Sequence, residues 1–193
     1  MPKNPLIPED FDRNNFETPD WFFRRLDEEF HFTYDLAATE KNRKCEKYIG
    51  TAENSLGQYW HRLSNGFMFL NPPYKPLRPW ILKAQQEARW GAKLVLVVPP
   101  WVQNRTYFHQ YRPDEIRTII GRISFCINGV EIDGNRDDTC ILVYDNARRN
   151  PRVTWITRES IAPAKVPVPN LSEIRSEGRK RPLNEQPKLE NAL

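Results

Sequence analysis

Residues 66–70, Gly-Phe-Met-Phe-Leu, run directly into Asn71-Pro72-Pro73-Tyr74-Lys75. Two consecutive prolines lock φ at both positions and remove two backbone donors, so an apolar strand entering them must end its hydrogen-bond ladder there. The result is a rigid strand terminus bearing an amide, free carbonyls and an aromatic ring, a surface suited to a flat ligand with hydrogen-bonding edges. A second run, Lys93 to Val98 (KLVLVV), is nearly continuous in β-branched and aliphatic residues and also stops at a proline pair, Pro99-Pro100. Such runs belong to strands buried on both faces. Between the two lies an amphipathic segment, residues 77–90, with Leu77, Ile81, Ala84 and Ala88 in helical register and Gly91 placed to end it. Strand, crossover helix and strand make a βαβ unit, and NPPY then falls at the carboxyl edge of an open sheet, where such folds bind ligands.

Other elements are placed with less context. Thr18-Pro19-Asp20 predicts a helix start, with Thr18 as N-cap and Pro19 at the first helical position, ahead of a stripe of Phe22, Leu26 and Phe30. Residues 32–36 (FTYDL) predict a short strand ending at Asp35 before Ala37 and Ala38, and residues 55–60 a helical turn. EIRTII, RISFCI and TCILVYD predict three further strands, the last two separated by the turn-rich NGVEIDGNRDD. Only thirty-six positions separate Asp35 from Asn71, too few for two more strand-helix units, so the sheet is expected to be abbreviated.

Composition narrows the function classes. The chain has 193 residues and a net charge of +4, enough for one domain with a buried core. Residues 147–193 hold ten Lys/Arg and five Asp/Glu, which leaves a net −1 on residues 1–146. A near-neutral body argues against a broad electrostatic face for nucleic acid, although local patches can track a few phosphates. The cluster Lys41, Arg43, Lys44 and Lys47 reads either as a solvated loop or as one such patch. The expected division is an N-terminal arm over 1–17, a folded domain over 18–160, and a basic tail over 161–193. Proline-rich and aperiodic, that tail is expected to be disordered. Charges at Lys3, Glu9, Asp10, Asp12 and Arg13 and the lack of a long apolar run lead us to expect a cytoplasmic protein without leader or membrane span. Cys45, Cys126 and Cys140 are odd in number and widely spaced, and His31, His61 and His109 lack ligand spacing. Neither a disulfide framework nor a metal site is expected.

Taken in order, TPDWFF, DLAATEKNRKC, TAENSLGQYW, NPPY, LVLVVPP and GRISF resemble the phage-type DNA N6-adenine methyltransferases, over roughly residues 18–146. The resemblance implies an abbreviated Rossmann-like α/β methyltransferase sheet with flanking helices, S-adenosylmethionine as cofactor, DNA as partner, and no metal. Its implied role is protection of phage DNA from restriction. It implies that Asn71 and the Pro72 carbonyl accept the two N–H groups of an adenine amine, with Pro73 and Tyr74 completing the catalytic motif and Tyr74 stacking on a base drawn out of the duplex. It assigns Asp35 and Ala37 to the cofactor, although DLAA stands where related enzymes carry a glycine-rich turn. Glu53, Asn54 and Leu56 resemble the element that holds the cofactor's adenine, and Asn54 equally fits an N-cap. Thr18 and Pro19 resemble an element closing over the methionine end, with helix capping as the competing role for Thr18. Lys75 and Arg122 are candidate DNA contacts. NPPY-type motifs also serve methyltransferases acting on RNA or on protein glutamine amides, and a non-catalytic nucleic-acid-binding protein on the same fold is a third alternative.

Overall fold

A computed structural model describes residues 14, 16–132, 138–146 and 152–162. The fold is mixed α/β, built on a six-stranded sheet in the order β1-β2-β3-β7-β4-β8. Strands β1 (Tyr34–Asp35), β2 (Phe67–Leu70) and β3 (Lys93–Val98) are mutually parallel. β7 (Cys140–Tyr144) runs antiparallel between β3 and β4 (Glu115–Ile120), and β8 (Arg152–Thr157) pairs parallel with β4. A separate hairpin is formed by β5 (Cys126–Ile127) and β6 (Val130–Glu131).

Alternation along the strands explains the continuous apolar runs, because each face of the sheet has its own helix. Leu94, Leu96 and Val98 of β3, with Met68 and Leu70 of β2, belong to the core that contains Ile81, Ala84 and Ala88 of helix α2 (Arg78–Arg89). Val95 and Val97 join Phe69 in a second core with Phe22, Phe23, Leu26 and Phe30 of helix α1 (Asp20–Phe30). The expected stripe of α1 is therefore the buried one, with Phe23 added.

Helix α2 ends as its sequence suggests. Gly91, at φ +100°, donates its N–H to Ala88 O, and the N–H of Ala92 reaches back to Glu87 O. That reciprocal pair satisfies the last carbonyls and needs a residue tolerant of positive φ.

Four expectations are corrected. Thr18 does not cap α1. The helix begins at Asp20, so the N-cap position is Pro19, whose side chain has no acceptor; its carbonyl receives the Phe22 and Phe23 N–H groups. The strand expected over 32–36 has paired residues only at Tyr34 and Asp35, although the Thr33 and Leu36 N–H groups on either side still donate to Phe67 O and Phe69 O of β2. The strand expected from RISFCI shrinks to Cys126–Ile127. Gly121, at φ +95°, swings the chain off the end of β4, and Ile123 and Phe125 drop into the α1-side core instead. Its partner β6 lies inside the segment expected to be only a turn. The hairpin is closed by Asn128 and Gly129 at φ +50° and +76°, the backbone that an Asn-Gly pair favours.

β8 and the short helix α3 (Arg158–Ile161) add elements where no strand or helix was expected. The turn expected over 55–60 forms two short 3₁₀ segments, Ser55–Gly57 and Trp60–Arg62. The basic tail lies outside the described residues from 163 onward. No helix among the described residues is long and apolar enough to cross a membrane.

Candidate active site

The carboxyl ends of two adjacent parallel strands deliver Asp35 and Asn71 to the same place. Asp35 ends β1 opposite Phe69, and Asn71 follows β2 directly. Both line a cavity of about 610 Å³. Asp35 is buried, and its carboxylate accepts the backbone N–H of Lys44 at 3.1 Å and that of Ala37 at 3.3 Å. Burial pushes its carboxyl up to about 6, against the opposing pull of those N–H groups and of the Lys44 charge. The loop from 36 to 48 returns beside β1, where Asp35 N–H donates to Lys47 O and Ile49 N–H to Asp35 O. This wraps the loop around the carboxylate.

The turn after Asp35 also answers the missing glycines. The only non-glycine residues at positive φ among those described are His31, Asn54, Asn128 and Asn146. Leu36, Ala37 and Ala38 thus adopt ordinary backbone, and the small alanine side chains suffice for close approach. Asn54 has a backbone reason for its identity. It sits at φ +47°, a left-handed conformation that Asn tolerates, and it makes no side-chain cap bond. The N-cap reading is corrected, since the left-handed backbone turns Asn54 away from capping geometry.

Of the expected catalytic motif, Asn71 and Pro73 line the cavity. Pro72 is buried just behind them, and the half-buried Tyr74 packs against the α2-side core. Of the expected cofactor residues, Thr18, Asp35, Ala37, Asn54 and Leu56 are on the wall. Pro19 is buried outside it. Glu53 is exposed, with its carboxylate so close to Gly50 that a Cβ there would come within 2.6 Å of Oε2. Gly50 lines the cavity, so its bare backbone is the wall on that side.

Lys75 and Arg122 are not on the wall. The backbone of Lys75 exchanges two hydrogen bonds of 3.1 Å with the side chain of Asn14, and Arg122 is exposed, 3.9 Å from Asp138. The lysine-rich loop divides. Lys41 and Lys44 line the cavity, while Arg43 lies over Tyr48 and Lys47 over Tyr34.

The wall also contains residues that sequence reasoning missed, chiefly Phe16 and Glu17 of the N-terminal arm, Trp80 of α2, and Ile127 and Asn128 of the hairpin. A signal existed for the last pair, because Asn128-Gly129 flanked by apolar residues is the strongest short hairpin signature. Among the described residues, no group of three or more His, Cys, Asp or Glu is placed to hold a metal ion. The three cysteines are unpaired with one another, and burial pushes each thiol up to about 12. They are not thiolate nucleophiles at neutral pH.

Fold and site define an α/β protein in which a buried carboxylate and the Asn71 and Pro73 of an Asn-Pro-Pro-Tyr terminus face one cavity at the carboxyl edge of its parallel strands. The DNA N-6-adenine-methyltransferase (Dam) family matches residues 8–166, and the chain belongs to that family. It is 28% identical over 89 residues to the DNA N-6-adenine-methyltransferase of Haemophilus phage HP1 (strain HP1c1), an overlap of 45% of this chain and 50% of that protein. It is 28% identical over 155 residues to the DNA N-6-adenine-methyltransferase of Escherichia phage T1, covering 69% of this chain and 63% of that one. The chain thus spans half to 63% of the length of these two relatives.

Proposed function

We propose that the chain transfers a methyl group from S-adenosylmethionine to the exocyclic amine of an adenine in DNA, the target being drawn out of the base stack into the cavity. The observation that carries this reading is the side-by-side presentation of Asp35 and Asn71 on one cavity, in a chain of this family.

The residue types suit the chemistry. An adenine amine is a poor nucleophile because its lone pair is delocalised into the ring, so the site must favour a tetrahedral nitrogen. Two acceptors on its two N–H groups do that, and Asn71 Oδ1 with the Pro72 carbonyl would supply them. Because these bonds strengthen as the nitrogen rehybridises, they stabilise the transition state more than the ground state. Tyr74 offers a stacking face, worth about 1–3 kcal/mol for a base.

The cavity fits the cofactor in size and in donor set. A volume of about 610 Å³ lies in the ordinary range for sites that enclose a ligand of that bulk. Asp35, ionised above about pH 6, would attract the cofactor's ammonium group, and Lys41 lies on the same wall for its carboxylate, the Lys44 ammonium being paired with Asp20. Ala37 and Ala38 leave room beside the backbone. Asn54 would accept from the cofactor's adenine amine, with Leu56 against the ring, Glu53 flanking them, and Thr18 and Pro19 closing the methionine end. When bound, the sulfonium supplies an electrophilic methyl and a neutral leaving group. The protein's own share is positioning.

We assign this activity to residues 18–160 on an abbreviated Rossmann-like sheet, acting in the cytoplasm, with the arm 1–17 contributing wall residues and 161–193 a basic tail. Lys75 and Arg122 would meet DNA outside the cavity. The test is mass analysis of nucleosides from DNA incubated with protein and cofactor. N6-methyladenine is expected. Methylated cytosine, or methyl transfer confined to RNA or to protein amides, would overturn the reading. Failure to bind the cofactor in a direct titration would identify a non-catalytic relative instead.

A further inference from the structure

We infer that Thr18 is a positioning residue whose hydroxyl holds the Asn71 amide in place at the strand terminus, with Oδ1 left for the substrate. The inference rests on the methyl-transfer reading above. Asn71 Nδ2 donates to Thr18 Oγ1 at 2.9 Å, and Thr18 is 3% exposed.

An asparagine amide has two ends of nearly the same shape and opposite chemistry. Only Oδ1 accepts. With Nδ2 engaged by Thr18, Oδ1 is the end left for an incoming N–H. Released from that bond, the amide would be free to rotate, and Oδ1 would spend less of its time where an incoming N–H meets it.

Thr18 is itself held from two sides. Glu17, next to it, exchanges backbone hydrogen bonds with Cys126 of the hairpin at 2.9 and 2.8 Å, and its carboxylate accepts the Gly129 N–H at 3.0 Å. Asn14 is tied to the backbone of Lys75, four residues beyond Asn71. Pro19 on the other side fixes φ and feeds its carbonyl into the start of α1. Asn14 and residues 16–19 therefore lie as a strap across the strand terminus, fastened to the hairpin and to the turn after NPPY. The β-branched threonine at its centre has few rotamers to choose from. Because the hydroxyl is not spent on the helix, it is available for the amide.

The test compares Thr18→Val, nearly isosteric but without an acceptor, with Thr18→Ser, which keeps the hydroxyl. Single-turnover methylation at saturating cofactor, KM for DNA, cofactor affinity by calorimetry and the thermal midpoint are measured for each. Thr18→Val is expected to lower the methylation rate at saturating cofactor roughly ten- to a hundredfold, with the thermal midpoint within error of the parent, and Thr18→Ser to restore most of the rate. A Thr18→Val protein at the parent rate, or a serine variant as slow as the valine one, overturns the proposal. So does a loss of cofactor affinity with an unchanged rate at saturation, which would assign Thr18 to the cofactor alone.

A second readout needs no activity. The side-chain amide signal of Asn71 in ¹⁵N-labelled protein, identified by its disappearance in Asn71→Asp, should exchange slowly in the parent and in Thr18→Ser and faster in Thr18→Val. Fast exchange in the parent overturns the hydrogen bond without any variant at position 18. If the parent protein methylates nothing while this pattern appears, the methyl-transfer reading fails and the Thr18 to Asn71 bond stands.

Discussion

The carboxylate of Asp35 is held by the backbone N–H of Lys44, nine residues further along the chain, at 3.1 Å. That contact closes the loop whose residues line the cavity, and it leaves a buried acid with its carboxyl raised to about 6 from an ordinary 3.8. Between about pH 4 and 6 the folded protein retains a proton that the unfolded chain has released. The contribution to stability is therefore complete below about pH 4 and is lost as pH rises through about 6. Asp35→Asn should remove that decline, about 3 kcal/mol across the window, as read from urea unfolding of both proteins between pH 4 and 8. Cofactor affinity should move the other way, weakening in the parent as pH falls below about 6 and becoming both weak and pH-independent in the variant. A parent protein whose cofactor affinity is flat through pH 6 would remove Asp35 from the cofactor site.

Replacing Asn71 by Ala removes one of the two acceptors for the amine and leaves the strand and the prolines in place. Single-turnover methylation should fall by roughly two to three orders of magnitude, the range for losing one preorganised hydrogen-bonding group at a developing charge. Cofactor affinity should change little. A folded variant that methylates adenine at the parent rate would end the proposed chemistry.

Tyr74 should separate stacking from packing. Tyr74→Phe keeps the aromatic face and should retain most of the rate. Tyr74→Ala should raise KM for DNA as well as slow transfer, because it weakens capture of the extruded base. The half-buried ring also packs against the α2-side core, so thermal unfolding is measured beside kinetics. If Tyr74→Ala lowers the thermal midpoint yet leaves KM and rate untouched, the ring is only a packing element.

Away from the site, Arg117 is the main charge-bearing link between the sheet and α1. Its guanidinium, 10% exposed, donates to Glu29 of the helix at 2.6 Å and lies 3.1 Å from Glu115 in its own strand, with Phe30 beneath it. Burial pushes the Glu115 carboxyl up, but hydrogen bonds from Arg117 and Arg152 more than offset it and hold the group below its ordinary value. Such a lowered acid contributes stability above its unfolded value that is lost as pH falls. Arg117→Met should cost about 3–5 kcal/mol near neutrality, and the deficit should shrink as pH drops toward 4. Denaturant midpoints at two pH values check both statements; an equal deficit at pH 4 and pH 7 would dissociate Glu115 from the effect.

Much of this protein is local chemistry, and that part was legible in the chain. Lys93 to Val98 and Glu115 to Ile120 form strands over the expected bounds, because a short run rich in β-branched residues has few alternatives once its neighbours are turns and helices. α2 ends before Gly91 because only a glycine accepts its φ cheaply. The prolines after Leu70 and Val98 end their strands because they lack the donors to continue them. What the residues could not announce was long-range company. Thr18 satisfies every local rule for an N-cap, yet its hydroxyl bonds to Asn71, 53 positions away, because the strap is anchored to a hairpin that itself forms outside the main sheet. Asp35 reads as an ordinary strand end, and only the loop that folds back over it makes it a buried acid. Lys44 and Asn128 reach the cavity from segments that look like solvated turns. Local sterics and hydrogen-bond arithmetic act within a few residues and leave their mark on the sequence; burial, field and the partner of a hydroxyl are set by whichever distant segments the sheet brings alongside.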